Sequence, residues 1–147
     1  RRLRMVRELT EAGIPTTVNI APVIPGLTDA EIPRLLEAVA DAGAIGIGWV
    51  MLRVPYQLKD LFLDWLKGSV HEDRARHVES LIRQTRGGKL YDASPGVRGR
   101  GKGPIAEQVS QIFDVFTKKY GLDRQYRPLS MAAFRGPARD GQMRLFG

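Results

Sequence analysis

Apolar positions recur about every third residue over 1–12, where Leu3, Val6, Leu9 and Ala12 share one face, so this stretch is read as a helix. Gly13 and Pro15 close it. Thr16 to Val23 is rich in β-branched residues and predicts a buried strand. A Pro25-Gly26 turn follows, then Thr28 with Glu31 in capping-box spacing. Ile32, Leu35, Leu36 and Val39 trace the inner stripe of the next helix, with Pro33 in its first turn and Gly43 at its end. Ile45 to Val54 is almost continuously apolar, as suits a parallel strand covered on both faces, and Pro55 ends it. This order of helix, strand, helix and strand is half of a parallel β/α repeat.

The second half changes character. Residues 58–67 and 71–86 are expected as helices, with Val78, Leu81, Ile82 and Thr85 facing inward on the second. Residues 87–103 are glycine-rich and basic, with Asp92 the one acid, and read as a flexible loop. Pro104 opens a last helix whose stripe runs Ile105, Val109, Ile112, Phe113, Phe116 and Tyr120. The chain therefore divides into an α/β part (1–56), a helical extension with the basic loop (57–121) and an irregular tail (122–147).

Composition narrows the function classes. The 147 residues are 43% hydrophobic and 27% charged, ordinary values for a globular domain. A net charge of +7 favours a polyanionic or phosphate-bearing partner. There is no cysteine, which excludes disulfides, thiolate metal sites and a cysteine nucleophile within these residues. No apolar run approaches the roughly 20 residues of a membrane span, so no membrane partner is expected and a cytoplasmic location is.

Three groups of residues are candidates for chemistry. In consecutive parallel strands the segments from Ala21 to Gly26 and from Met51 to Pro55 end side by side, at the rim where α/β folds hold ligands. Ile24 and Leu52 would flank a flat apolar ring there, with main-chain groups reading its polar edge; the plain alternative is two core residues. The basic loop offers Lys89, Arg98, Arg100 and Lys102 to an anion, without P-loop spacing and without a preceding strand. His71 and His77 face different directions on a helix and have no partner at metal-ligand spacing, so both are assigned to solvated positions.

Leu3-Arg4-Met5-Val6-Arg7-Glu8-Leu9-Thr10-Glu11-Ala12-Gly13-Ile14-Pro15, followed by Ala21-Pro22-Val23-Ile24-Pro25-Gly26-Leu27-Thr28-Asp29, resembles the later part of a radical S-adenosylmethionine enzyme barrel. Val50-Met51-Leu52-Arg53-Val54-Pro55 resembles its sixth strand. Ser80 to Tyr91, with Arg86-Gly87-Gly88-Lys89, is similar to the spore photoproduct lyase-like subgroup. The resemblance implies a partial parallel (β/α) barrel with a helical, basic C-terminal extension. In that superfamily a GxIxGxxE-like pattern on the fifth strand meets the adenine of S-adenosylmethionine. Residues 22–29 fit its spacing, with Pro22 in place of the first glycine and Asp29 in place of the glutamate. Ile24 then corresponds to the apolar adenine contact, Gly26 to the turn, and Met51, Leu52 and Arg53 to the neighbouring lining.

The family also holds a 4Fe-4S cluster on a CxxxCxxC loop, which is absent here. The resemblance thus implies a carboxyl-terminal fragment, inactive alone, whose partners are an N-terminal half-barrel carrying the cluster and an external electron donor. Two other readings compete. One is a non-catalytic basic α/β module that binds nucleic acid through Arg83, Arg86, Lys89, Arg98, Arg100 and Lys102. The other is an aldolase-type barrel, which lacks the strand-end lysine or carboxylate pair it needs, since Arg53 is the one charged residue there.

Overall fold

Thr17–Val23 (β1) and Gly46–Met51 (β2) pair in parallel, in register from Thr17 opposite Gly46 to Ile20 opposite Trp49. The register shifts after Ile20 and resumes at Val23 opposite Met51. The computed structural model describes residues 1–123, 131, 132 and 134. Around the strands lie α1 (Arg2–Glu11), α2 (Ile32–Asp41), α3 (Lys59–Ser69), α4 (Glu72–Gln84), the four-residue α5 (Val97–Arg100) and α6 (Pro104–Lys119). The fold is mixed α/β, with one two-stranded parallel sheet among the described residues.

Parallel strands need a crossover, and α2 supplies it. Its Ile32, Leu36 and Val39 are buried against Val23, Trp49 and Met51. The last helix, α6, packs beside α2 and adds Ala106, Val109 and Phe113, the ring of Phe113 stacking on Trp49 at 4.7 Å. Burial of side chains such as Leu36, Met51 and Phe113, worth about 1.5–3 kcal/mol each, seats these helices on one face of the sheet. The opposite face starts with Thr17 and Asn19, both exposed, paired with Gly46 and Gly48. A Cβ on Gly48 would lie 3.1 Å from the Asn19 Oδ1, so the missing side chain makes room for that amide.

A second core caps the carboxyl end of the sheet. It joins Ile24 to Leu66 of α3, to Ala75, Val78 and Ile82 of α4, and to Leu90. Leu27, Leu52, Phe62 and Leu63 pack around it. Helices α3 and α4 therefore pack over this end of the sheet.

Several expectations are corrected. β1 is not a buried strand: of its residues Val23 alone is buried, because one edge and one face lack cover among the described residues. Helix α1 buries none of its residues, and Leu3 and Leu9 are 42% and 39% exposed. The capping box does not form. Asp29–Glu31 is a 3-10 turn, and the Thr28 hydroxyl accepts from the Ile24 N–H at 2.9 Å, closing the Pro25-Gly26 turn rather than a helix end. Leu122, assigned to the tail, is buried in the main core, and Asp123 makes an antiparallel bridge to Gly46. The rest of the expected tail lies largely outside the described residues. No helix among the described residues is long and apolar enough to cross a membrane.

Candidate functional site at the strand ends

The two strand ends lie side by side, as the parallel pairing requires: the Leu52 N–H donates to the Val23 carbonyl at 2.8 Å. Their surroundings differ. At the β1 corner the N–H groups of Leu27 and Thr28 both donate to the Ile24 carbonyl, at 3.1 and 2.9 Å. With Thr28 on its N–H, the main chain of Ile24 is fully engaged within the turn. The Ile24 side chain is 7% exposed beneath α3 and α4. Gly26 has φ +75°, and a Cβ there would meet the Leu81 Cδ1 at 2.7 Å. Glycine is thus required both by the left-handed turn and by the closeness of α4.

The β2 corner is built from a buried cation. Arg86, 1% exposed, donates from Nη2 to the Leu52 carbonyl at 2.8 Å and from Nη1 to the Val97 carbonyl of α5. Its Nε has no partner among the described residues. Desolvation lowers the pKa of Arg86; Asp92 opposes the shift, Arg53 adds to it and Tyr91 opposes it. Leu52 is half-buried and Arg53 exposed, whereas Met51 is 1% exposed and belongs to the other core, against α2 and α6. Of the five residues expected at the rim, the fold therefore leaves Leu52 and Arg53 accessible and covers Ile24 and Met51; Gly26 is half-buried under α4.

The basic segment departs from a loop solvated throughout. Arg100 lies over the Trp49 ring, 4.0 Å from its centroid. Lys102 sits 3.7 Å from the Asp92 carboxylate, and its chain end occupies the space where a Gly87 side chain would stand. The Lys102 N–H donates to the Thr85 carbonyl at 3.0 Å. Lys89 and Arg98 are exposed and have no carboxylate within ion-pair distance among the described residues. Arg83 is bonded twice to Glu79, at 2.9 and 2.7 Å. The cations expected to line one anion surface are thus mostly engaged inside the fold.

Arg86 as a staple between strand and loop was legible only in its spacing: Val78, Ile82 and Arg86 continue one helical stripe. His71 caps α4, its ring accepting from the Asp73 N–H at 3.4 Å, and His77 is exposed. No cluster of three or more potential metal ligands occurs among the described residues. Beside the β2 corner, Tyr56, Lys59 and the 88–94 segment line a cleft of about 650 Å³, which the sequence reading missed because its walls come from three separate elements.

The chain is 29% identical over 129 residues to uncharacterized proteins of Mycobacterium bovis and of two strains of Mycobacterium tuberculosis, the match covering 86% of this chain and 34% of each relative. It therefore spans about a third of the length of the curated relatives it matches. No family model and no solved structure matches it.

Proposed function

We propose that these residues form the adenosyl-binding side of a radical S-adenosylmethionine enzyme. The observation that supports this most is the pairing of Val23 with Met51, which brings Ile24-Pro25-Gly26 and Leu52-Arg53 to the same end of two parallel strands. That end is where such folds hold ligands. Asn19 and Gly48, small and polar on the uncovered face of the sheet, suit a barrel interior.

The residues fit the adenosyl group in part. Leu52 and Arg53 are accessible at the rim and would meet the ring and its polar edge, while the Leu52 carbonyl is already held by Arg86. Ile24 acts one layer below, as the apolar floor under α4 that keeps water from the strand ends. Gly26 lets α4 close over that floor. Bound S-adenosylmethionine, reduced through a 4Fe-4S cluster, supplies a 5′-deoxyadenosyl radical. The residues here contain no thiolate to ligate such a cluster, so its ligands would come from other residues of the protein. The test is anaerobic reconstitution of the full-length protein with iron and sulfide. A brown protein that releases 5′-deoxyadenosine on reduction supports the reading; no cluster and no 5′-deoxyadenosine ends it.

The nucleic-acid module is the weaker reading. Of its six cations, Lys89 and Arg98 alone are both exposed and without an ion-pair, hydrogen-bond or ring partner among the described residues, since Arg83, Arg86, Arg100 and Lys102 bond or stack within the fold. Two phosphate contacts give a log–log salt slope of about −2, against about −5 for six. A slope near the larger value would revive it.

A further inference from the structure

The cleft beside the β2 corner plays no part in the adenosyl reading, and its lining points to a different ligand. We propose that it binds a small molecule in which a planar aromatic ring carries an oxyanion, either carboxylate or phosphate. Its volume of about 650 Å³ is that of a small-molecule site. Tyr56 follows the β2 strand end and is 72% exposed, an unusual setting for so large a ring. Tyr91, from the loop, meets it edge to face, with centroids 5.8 Å apart and planes at 75°. Two rings at this angle form a corner into which a third ring fits in offset or edge-to-face contact.

The charges at the cleft select the sign of the ligand. Lys59 lies 5.2 Å from the Tyr56 centroid, and Lys89 is exposed on the loop. Neither has a carboxylate within ion-pair distance among the described residues. The other charges at the cleft are mostly committed. Arg83 is bonded to Glu79, and Asp92 accepts from the Ser94 N–H at 2.9 Å with Lys102 3.7 Å away. Asp60 faces the two ammonium groups and Asp92 also feels Lys89, but with Lys102 beside Asp92 and Arg83 on Glu79 the cations remain in excess, leaving a net positive mouth next to an aromatic corner. Such a mouth attracts an anion, and the corner prefers one that carries a ring.

Titration calorimetry on the full-length protein tests this with phenyl phosphate, phenylacetate, inorganic phosphate and phenol as probes. Phenyl phosphate or phenylacetate is expected to bind about tenfold more tightly than inorganic phosphate, the worth of one good ring contact. Whichever of the two binds better identifies the oxyanion. Tyr56→Ala, at an exposed position that leaves the melting temperature unchanged, removes that advantage. The double variant Lys59→Gln, Lys89→Gln weakens the anionic probes about tenfold and leaves phenol unaffected, as loss of a charge-assisted contact requires. Equal affinity for phenyl phosphate and inorganic phosphate, no saturable binding of either aromatic anion, or wild-type affinity in Tyr56→Ala would overturn the proposal. Adenosyl binding is not involved in any of these readouts, so either idea stands or falls alone.

Discussion

The two strand ends are neighbours in one sheet, yet they are finished in opposite ways. The β1 corner is sealed: its main chain is bonded within its own turn, and α4 covers Ile24 and Gly26. The β2 corner is held rather than sealed. A buried guanidinium takes the Leu52 carbonyl from below, and Leu52 and Arg53 stay accessible above. One corner is thus stabilised by apolar packing and the other by a cation with no carboxylate at ion-pair distance among the described residues. The lesson is that adjacency at a rim does not make two residues equivalent ligand contacts; which one meets a ligand depends on what the rest of the chain lays over it.

Removing the staple should have the largest effect. Arg86→Ala strands two carbonyls and empties a buried volume, and should lower stability by about 3–5 kcal/mol in urea unfolding. A loss under 1 kcal/mol would mean the β2 corner does not depend on it. Next, Ile24→Ala should cost about 2–4 kcal/mol as a core truncation. Leu52→Ala, half-buried, should cost about 1 kcal/mol and, on the proposed adenosyl reading, weaken S-adenosylhomocysteine binding by the full-length protein about tenfold. If the two variants change places, the proposed ligand contact moves to Ile24 and the comparison is reversed.

Smaller effects sharpen the same contrast. Gly26→Ala forces a methyl against Leu81 in a left-handed turn and should cost about 1–3 kcal/mol in thermal denaturation. In the basic segment Arg100→Ala should cost about 1 kcal/mol through its lost stacking on Trp49, while Arg98→Ala stays within about 0.5 kcal/mol of wild type. Equal losses would show that the segment's cations are not sorted as described. The Asp92 pKa is lowered, chiefly by its hydrogen bonds to Ser94; desolvation opposes the shift, and Lys102 and then Lys89 add to it. A depressed folded-state value means that its contribution is complete above the unfolded carboxylate value near about 4 and fades as pH falls through the folded one. Asp92→Asn should therefore leave a shallower loss of stability on the acid side than wild type.

Much of this was legible in local pattern. The periodicity of Ile32, Leu36 and Val39 placed α2, and the apolar run ending at Pro55 placed β2, because both depend on spacing that neighbours in sequence enforce. The capping-box reading of Thr28 failed because a hydroxyl between a turn and a helix has two backbone N–H groups within reach, and the tighter turn captured it. The basic loop was misread for a related reason. Gly87 and Gly101 look like freedom in a sequence, but in the fold both have positive φ angles and their missing side chains make room for Lys102 and Thr85 respectively. The Tyr56–Tyr91 corner had no local signature at all.

By itself the sequence determined the order of helices and strands, the parallel crossover through α2 and the absence of a thiolate ligand, since each follows from residue type and short-range periodicity. Only the tertiary structure decided which strand end is open, which arginine is buried and where two tyrosines meet. Those outcomes depend on contacts between segments such as Leu52 and Arg86, or Gly26 and Leu81. Packing sets them by excluding water and favouring partners for buried polar groups, and neither condition acts along the chain.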